Sequence, residues 1–170
     1  DGTPQTITIT INGTNDAPKV TPVDLGSMNE DGGSVTITMA QLLSGAFDVD
    51  GDTLTASGLT LSNPAAGTLL DNGDGTWTFT PAQDWNGSLS FGYEVSDGNG
   101  GVTSNTASLT VNSVNDLPYL TMAPGYMYLT EDGADGNSLF FINDVETPAS
   151  LLSVTVKGSN NPTLVDLSDI

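Results

Sequence analysis

One stretch decides the fold, because apolar and small polar residues alternate along it without a break: Leu89-Ser90-Phe91-Gly92-Tyr93-Glu94-Val95. The same period of two recurs in residues 6–11, 35–39 and 76–80. Alternation with this period places every second side chain on the buried face of a β-strand. Segments rich in Asp, Asn and Gly separate these stretches and are typical of turns. The pattern therefore predicts an all-β chain whose short antiparallel strands pack as a sandwich.

The chain also repeats its own landmarks, with offsets of 100, 101 and 96 residues. Three landmarks that return in the same order at nearly one spacing indicate a tandem array. Residues 1–14 are predicted to be the last strand of a preceding repeat, residues 15–114 a complete repeat and residues 115–170 the first half of a following one. The landmark pairs are Asn15-Asp16-Ala17-Pro18 with Asn115-Asp116-Leu117-Pro118, Glu30-Asp31-Gly32 with Glu131-Asp132-Gly133, and Asp48-Val49-Asp50 with Asp144-Val145-Glu146.

The complete repeat is predicted to hold seven strands and a short helical turn within residues 39–45. Trp85 is expected to close one end of the core. The predicted strands are residues 19–28, 34–41, 53–62, 67–71, 75–80, 88–96 and 102–113. The predicted core consists of Val35, Ile37, Trp77, Phe79, Phe91, Tyr93, Leu109 and Val111.

The charge of the chain limits its partners. It has 21 acidic and two basic residues, no His and no Cys, and a formal net charge of −19. Nucleic acid is excluded as a partner because phosphate binding requires Lys and Arg, and anionic membrane surfaces are disfavoured for the same reason. Without Cys or His the chain has neither thiolate chemistry nor the usual zinc ligands. No apolar run approaches the roughly 20 residues that span a membrane, so no membrane insertion is expected. An acidic coat that only aids solubility is the alternative explanation of the charge.

The positions of the acids favour metal binding over a general coat. In a seven-strand Greek-key sandwich they collect at the two ends, and like charges held this close stay together only with cations between them. Oxygen ligands without His or Cys suit Ca²⁺, which accepts six to eight of them. Asp52, Asp71 and Asp74 are instead interpreted as turn residues. The predicted Ca²⁺ ligands are Asn15, Asp16, Asp48, Asp50 and Asp97 at one end, and Glu30, Asp31, Asp84, Asn115, Asp116, Asp144 and Glu146 at the other.

Three segments carry a family resemblance: residues 79–87, residues 93–101 and Asn115-Asp116-Leu117-Pro118. Together they resemble the bacterial cadherin-like tandem repeats, of the VCBS or tandem-95 type, found in large RTX-type adhesins. The resemblance implies cadherin/immunoglobulin-like Greek-key sandwiches in tandem at the bacterial cell surface, with Ca²⁺ between neighbouring repeats of the same chain. It assigns Glu30 to the cadherin A-strand glutamate, Asp116 to the linker aspartate, and Asp144 with Glu146 to the Asp-x-Asp motif. Asp84 falls near the cadherin E–F acidic motif, which is incomplete here.

Three functions compete at this point. The first is an extracellular calcium-binding spacer that holds an adhesive domain away from the cell. The second is an adhesive module for a sugar or peptide, suggested by the aromatic group Tyr119, Tyr126, Met127 and Tyr128. The third, a glycosidase that uses Asp48 and Asp50, is disfavoured because these acids lie in tight turns and not in a cleft, so no enzyme is expected. Strand addition from another subunit remains a further possibility for the half repeat.

Overall fold

A computed structural model describes residues 2–122 and 140–153 of the chain. The chain divides into two compact units, Asp1–Val114 and Asn115–Ile170, which are described separately below. None of the helices in the described residues is long and apolar enough to cross a membrane.

The described residues of the first unit form nine strands and one helical turn. Short 3-10 turns lie at Glu30–Gly32 and Pro64–Ala66. The elements are β1 Lys19–Val20, β2 Val23–Asn29, β3 Val35–Thr38, α1 Met39–Leu42, β4 Ala46–Phe47, β5 Thr55–Leu61, β6 Gly67–Asp71, β7 Thr76–Pro81, β8 Gly87–Ser96 and β9 Val102–Asn112.

The strands form two main sheets. One has the order β2-β9-β8-β5 and the other the order β3-β7-β6, and a two-stranded ladder joins β1 to β4. The longest ladder runs from Gly87 opposite Val111 to Ser96 opposite Val102. The first strand of the large sheet, β2, pairs with the last, β9, in parallel. This arrangement confirms the predicted all-β, Greek-key sandwich, in which β2, β5, β8 and β9 form one sheet and β3, β6 and β7 form the other.

The core lies between the two sheets. Phe79 from the small sheet and Phe91 from the large sheet are both fully buried and meet edge to face, with ring centroids 5.6 Å apart at 83°. This geometry is the one that aromatic pairs prefer. Of the predicted core residues, Val35 is only partly buried, and Trp85 packs against the core from its edge. The alternating pattern therefore identified the buried face of each central strand.

Two predicted strands differ from the structure. The strand predicted over residues 19–28 is broken at Pro22, so that β1 pairs with β4 while β2 joins the large sheet. Proline has no N–H to donate to a ladder, which explains the break. The strand predicted over residues 34–41 stops at Thr38, whose hydroxyl accepts from the Gln41 amide while the Gln41 side chain accepts from the Thr38 amide. This reciprocal capping box begins α1 and ends the strand.

The segment before the first sandwich strand is exposed from residue 2 to residue 17. Among the described residues, 2–18 form no strand. Ile7, Ile9 and Ile11 expose 83%, 80% and 90% of their surface. The division of the chain into 1–14, 15–114 and 115–170 stays a prediction.

In the second unit the described elements are β10 Tyr119–Met122, β11 Phe140–Asn143 and a 3-10 turn at Ala149–Leu151. The two strands are antiparallel, with Tyr119 opposite Asn143 and Leu120 opposite Ile142. The landmark at residues 131–133 lies outside the described residues.

Candidate metal sites

The loop between β4 and β5 is organised around Asp48. Its Oδ1 accepts hydrogen bonds from the Asp50 amide at 2.8 Å and the Asp52 amide at 3.3 Å. An aspartate that accepts from amides two and four residues further along folds the loop into a tight turn. Only 6% of the surface of Asp48 is exposed, so the turn brings a carboxylate into the end of the sandwich.

Asp97 organises the loop between β8 and β9 in the same way. Its Oδ1 accepts from the Asn99 amide at 2.7 Å and from the Gly101 amide at 2.9 Å, and its own amide donates to the Gly101 carbonyl at 3.2 Å. The residue is 4% exposed. Two loops that are far apart in sequence thus each bury one aspartate at the same end of the first unit.

These two aspartates and Asp52 form a cluster. One carboxylate oxygen from each lies within 4.8 Å of the others. Two ligands of one Ca²⁺ ion lie up to about 5 Å apart, because each Ca–O distance is about 2.3–2.6 Å. Moreover, Asp48 Oδ2 is buried and has no hydrogen-bond donor among the described residues. A buried carboxylate oxygen without a donor is costly, and a cation bound by the cluster would remove that cost.

Residues 15–18, which lead into β1 and are called the incoming linker below, are bonded to the two acidic loops. The Asn15 side-chain amide donates to Asp97 Oδ2, and the Asp16 backbone amide donates to Asp50 Oδ2, both at 2.8 Å. Two residues further on, the Thr103 hydroxyl donates to the Pro18 carbonyl at 2.7 Å. The linker is therefore held at the end of the sandwich by bonds to both acidic loops.

The same contacts act on the acidity of Asp97. Its pKa is held below the ordinary aspartate value, chiefly because the Asn15 side chain donates to the carboxylate. The Asn99 and Gly101 amides act in the same direction, while burial acts against them. Donors that stabilise the charged form keep Asp97 ionised and available as a ligand.

Asp50 and Asp52 have different partners. Asp50 was predicted as a ligand; its Oδ2 accepts from the Asp16 amide and it is not one of the three clustered carboxylates, so its role as a ligand stays a prediction. Asp52 was interpreted as a turn residue, but its carboxylate belongs to that group. The only sequence signal for Asp52 was its position as a third acid, four residues after Asp48. For Asp71 the structure agrees with the turn interpretation, because its Oδ1 accepts from the Gly73 amide at 2.8 Å on an exposed loop.

Glu30 lies at the end of β2. It is 7% exposed, its Oε1 accepts from the Val114 amide at 2.8 Å, and its Oε2 accepts from the Asn86 side chain at 3.4 Å. Glu30 thus holds the last residue of the first unit. Of the other acids predicted near it, Asp31 is exposed, and Asp84 is partly exposed with a left-handed backbone (φ 56°).

The second unit repeats the contact between linker and acid. The Asp116 amide donates to Glu146 Oε2 at 3.0 Å, as the Asp16 amide does to Asp50 in the first unit. Asp144 accepts from the Thr147 amide at 2.6 Å, and the Asn115 side chain donates to the Asp116 carbonyl at 2.7 Å. Glu146 Oε1 is a second buried carboxylate oxygen without a hydrogen-bond partner among the described residues. Of the predicted aromatic group, Tyr119 is exposed, and Tyr126, Met127 and Tyr128 lie outside the described residues.

An antiparallel sandwich whose edge strand β2 pairs in parallel with β9, and whose acids gather at one end, has the architecture of a cadherin-like repeat. The sequence model of the cadherin-like domain matches residues 14–112, which is more than half of the chain. The chain therefore belongs to the cadherin-like domain family. No curated protein matches it.

Several solved structures are similar at low identity. Protocadherin gamma B2 extracellular cadherin domains 1–5 are 17% identical over 77% of this chain, with a TM-score of 0.42. Protocadherin gamma B7 extracellular cadherin domains 1–4 are 17% identical over 78%, with a TM-score of 0.40. An endo-fucoidan hydrolase from glycoside hydrolase family 107 is 23% identical over 60%, with a TM-score of 0.37. The chain spans 26%, 34% and 17% of the lengths of these three chains, respectively.

Proposed function

We propose that the chain is a calcium-binding segment of a tandem array that serves as an extracellular spacer in a bacterial surface adhesin. The observation that carries this proposal is the buried Oδ2 of Asp48, which lies within the cluster of three carboxylates and has no hydrogen-bond partner among the described residues. It is supported by the linker, which is bonded to the same two loops. A cation in this cluster would stabilise both the end of the sandwich and the path of the chain into it.

The donor set suits Ca²⁺ better than other common ions. Asp48, Asp52 and Asp97 would hold the ion, and all three offer hard oxygen ligands. Ca²⁺ accepts six to eight oxygens at flexible angles, whereas Mg²⁺ requires a stricter octahedron and retains its waters. Zinc and copper sites are built around His or Cys, and this sequence contains neither.

Two observations support an array of repeats. The bond from the linker aspartate to the second acid of the Asp-x-Asp or Asp-x-Glu motif occurs in both units. In addition, Ile7, Ile9 and Ile11 lie 100 residues before Ala107, Leu109 and Val111. Those three residues of β9 each expose at most 2% of their surface. Residues 3–12 would therefore bury their isoleucine face as the last strand of another repeat, in the place that β9 takes in this one.

We further infer a binding role and not catalysis for the acids. Asp48 and Asp97 each spend one carboxylate oxygen on backbone amides of their own loop. Such bonds hold both carboxylates in place as ligands, and in Asp97 they also lower the pKa, whereas a general acid must hold a proton near neutral pH.

Calorimetric titration of residues 1–170 with Ca²⁺ tests the binding site. Asp52→Ala is expected to weaken binding at the cluster at least tenfold, because it removes one of three charged ligands. Asp71→Ala is the matched control, since it removes an equal charge from an exposed turn outside the cluster. Equal Ca²⁺ affinity in the two variants would refute the site.

Small-angle scattering tests the spacer role. The maximum dimension of the chain is expected to change when EGTA removes calcium, because calcium held at the linkers restricts their bending. A maximum dimension that is the same in CaCl₂ and in EGTA would contradict the spacer role while leaving calcium binding intact.

A further inference from the structure

We propose that Gly101 is the positioning residue of the acidic cluster. Because glycine has no side chain, the Asp97 carboxylate and the backbone of the incoming linker can both lie close to it. The proposal rests on the proposed calcium site for its effect on metal affinity. Its geometric part concerns only Asp97, Gly101 and Ala17, and can be tested without metal.

Glycine is required at position 101 because there is no space for a side chain, and not because of the backbone conformation. Gly98 and Gly100, in the same loop, have φ angles of 77° and 109°, a region that favours glycine. Gly101 is outside that region, so its backbone conformation is open to other residues. A Cβ at Gly101 would nevertheless collide with Asp97 Oδ2, and would lie 2.8 Å from the Ala17 Cα and 3.0 Å from the Asp97 Cγ. Carbon atoms pack at about 3.5–4.0 Å, so an alanine would have to displace a neighbour.

The atoms that a Cβ at position 101 would meet belong to the acidic cluster and to the incoming linker. Asp97 Oδ2 accepts from the Asn15 side chain, and Oδ1 accepts from the Gly101 amide itself. A side chain at position 101 would displace the Asp97 carboxylate from the position in which it lies beside Asp48 and Asp52. The contact with Ala17 lies in the linker, between Asp16 and Pro18. Moving Asp97 would therefore disturb both the acidic cluster and the attachment of the linker.

Calcium affinity is the first readout. Gly101→Ala is expected to weaken Ca²⁺ binding at least tenfold in calorimetry, and Gly92→Ala is expected to stay within twofold of the unchanged chain. Gly92 is a fair control, because it lies outside the left-handed region and an added Cβ would meet only the Thr60 hydroxyl, at 3.6 Å. Affinity of the Gly101→Ala chain within twofold of the unchanged chain would overturn the proposal.

Melting in EGTA is the second readout, and it separates this proposal from the calcium site. If Gly101→Ala acts through the Asp97 carboxylate, removing that carboxylate relieves the collision with Asp97 and leaves the one with the Ala17 Cα. Gly101→Ala is then expected to lower the melting midpoint less in the Asp97→Ala chain than in the unchanged chain, and a double variant that folds where Gly101→Ala alone does not is the same result. A loss of the same size in both chains would refute the positioning role. A chain that shows this rescue but binds no Ca²⁺ would refute the proposed function and leave the positioning role standing.

Discussion

Replacing Asp48 with Asn is expected to stabilise the first unit in the absence of calcium and to make it less stable than the unchanged chain in its presence. The substitution keeps an oxygen at Oδ1, which accepts from the Asp50 and Asp52 amides, so the turn is retained. It replaces Oδ2, a buried oxygen without a donor among the described residues, by a neutral amide group. The carboxylate cluster thereby loses one of its three negative charges.

The size of the gain without calcium follows from the geometry. The carboxylate oxygens lie within 4.8 Å of one another, and two charges at that upper limit repel by about 3.5 kcal/mol at an effective dielectric constant of about 20. Asp52 is only partly buried, and solvent near exposed charges reduces such energies to about 1 kcal/mol or less. A gain of about 1 kcal/mol would raise the melting midpoint of a domain of about 100 residues by roughly 4–8 °C.

The loss with calcium is larger. A ligand at 100 times its Kd stabilises the folded state by about 2.7 kcal/mol, which corresponds to a rise in the melting midpoint on the order of 10 °C. Asp48→Asn is expected to lose most of this rise, because the site loses a buried charged ligand. The order of the two melting midpoints should therefore reverse between EGTA and CaCl₂.

Differential scanning calorimetry in the two buffers measures both effects. Asp71→Asn is the control, since it removes one negative charge from an exposed turn with the same Oδ1-to-amide bond. We expect this control to keep the full calcium-dependent rise. A lower midpoint for Asp48→Asn in EGTA, or an undiminished rise with calcium, would refute the reasoning.

Three further predictions concern the core. Tyr93→Phe should cost about 1–3 kcal/mol in urea unfolding, because the buried Tyr93 hydroxyl donates to the Leu42 carbonyl and accepts from the Asn105 side chain; an unchanged midpoint would contradict this. Burial raises the pKa of Tyr93, against the opposing effect of the Asn105 bond, so the contribution of Tyr93 to stability should be constant below about pH 10 and be lost as the pH rises through the folded pKa. The Tyr93→Phe chain, unfolded over the same pH range, should lack this loss. Phe79→Ala should cost about 3–5 kcal/mol through a cavity beside Phe91, while a cost below 1 kcal/mol would mean that the core collapses to fill it.

The fold was predictable where burial alone decides the conformation. The central strands β7, β8 and β9 lie within one residue of their predicted bounds, because their alternating side chains have one buried face. The alternating pattern failed to predict the strand bounds where local structure interrupts a strand. Pro22 and the Thr38–Gln41 capping box interrupt apolar stretches that the period of two would have continued. Strand β4, only two residues long, is too short for a periodic pattern to predict.

The site was predictable only as a set of loops. Placing the predicted loops at the two ends of a seven-strand sandwich assigned Asn15, Asp48 and Asp97 to one end. The structure brings these three residues together there. The sequence could not show which of Asp50 and Asp52 contributes its carboxylate to the cluster. Both lie in the same tight turn, and the direction of each side chain depends on which amides the Asp48 carboxylate accepts.

That turn divides the motif into two parts with different partners. The first acid, Asp48, bonds to its own loop and lies in the cluster, whereas the second, Asp50, accepts the amide of the incoming linker. In the second unit Glu146 takes the linker amide with a side chain one methylene longer. A backbone amide donates whatever side chain follows it, so this bond tolerates changes in the linker that a side-chain contact would not. Two acids spaced by one residue therefore couple the position of the linker to the acidic cluster, which is the coupling that a calcium-dependent spacer requires.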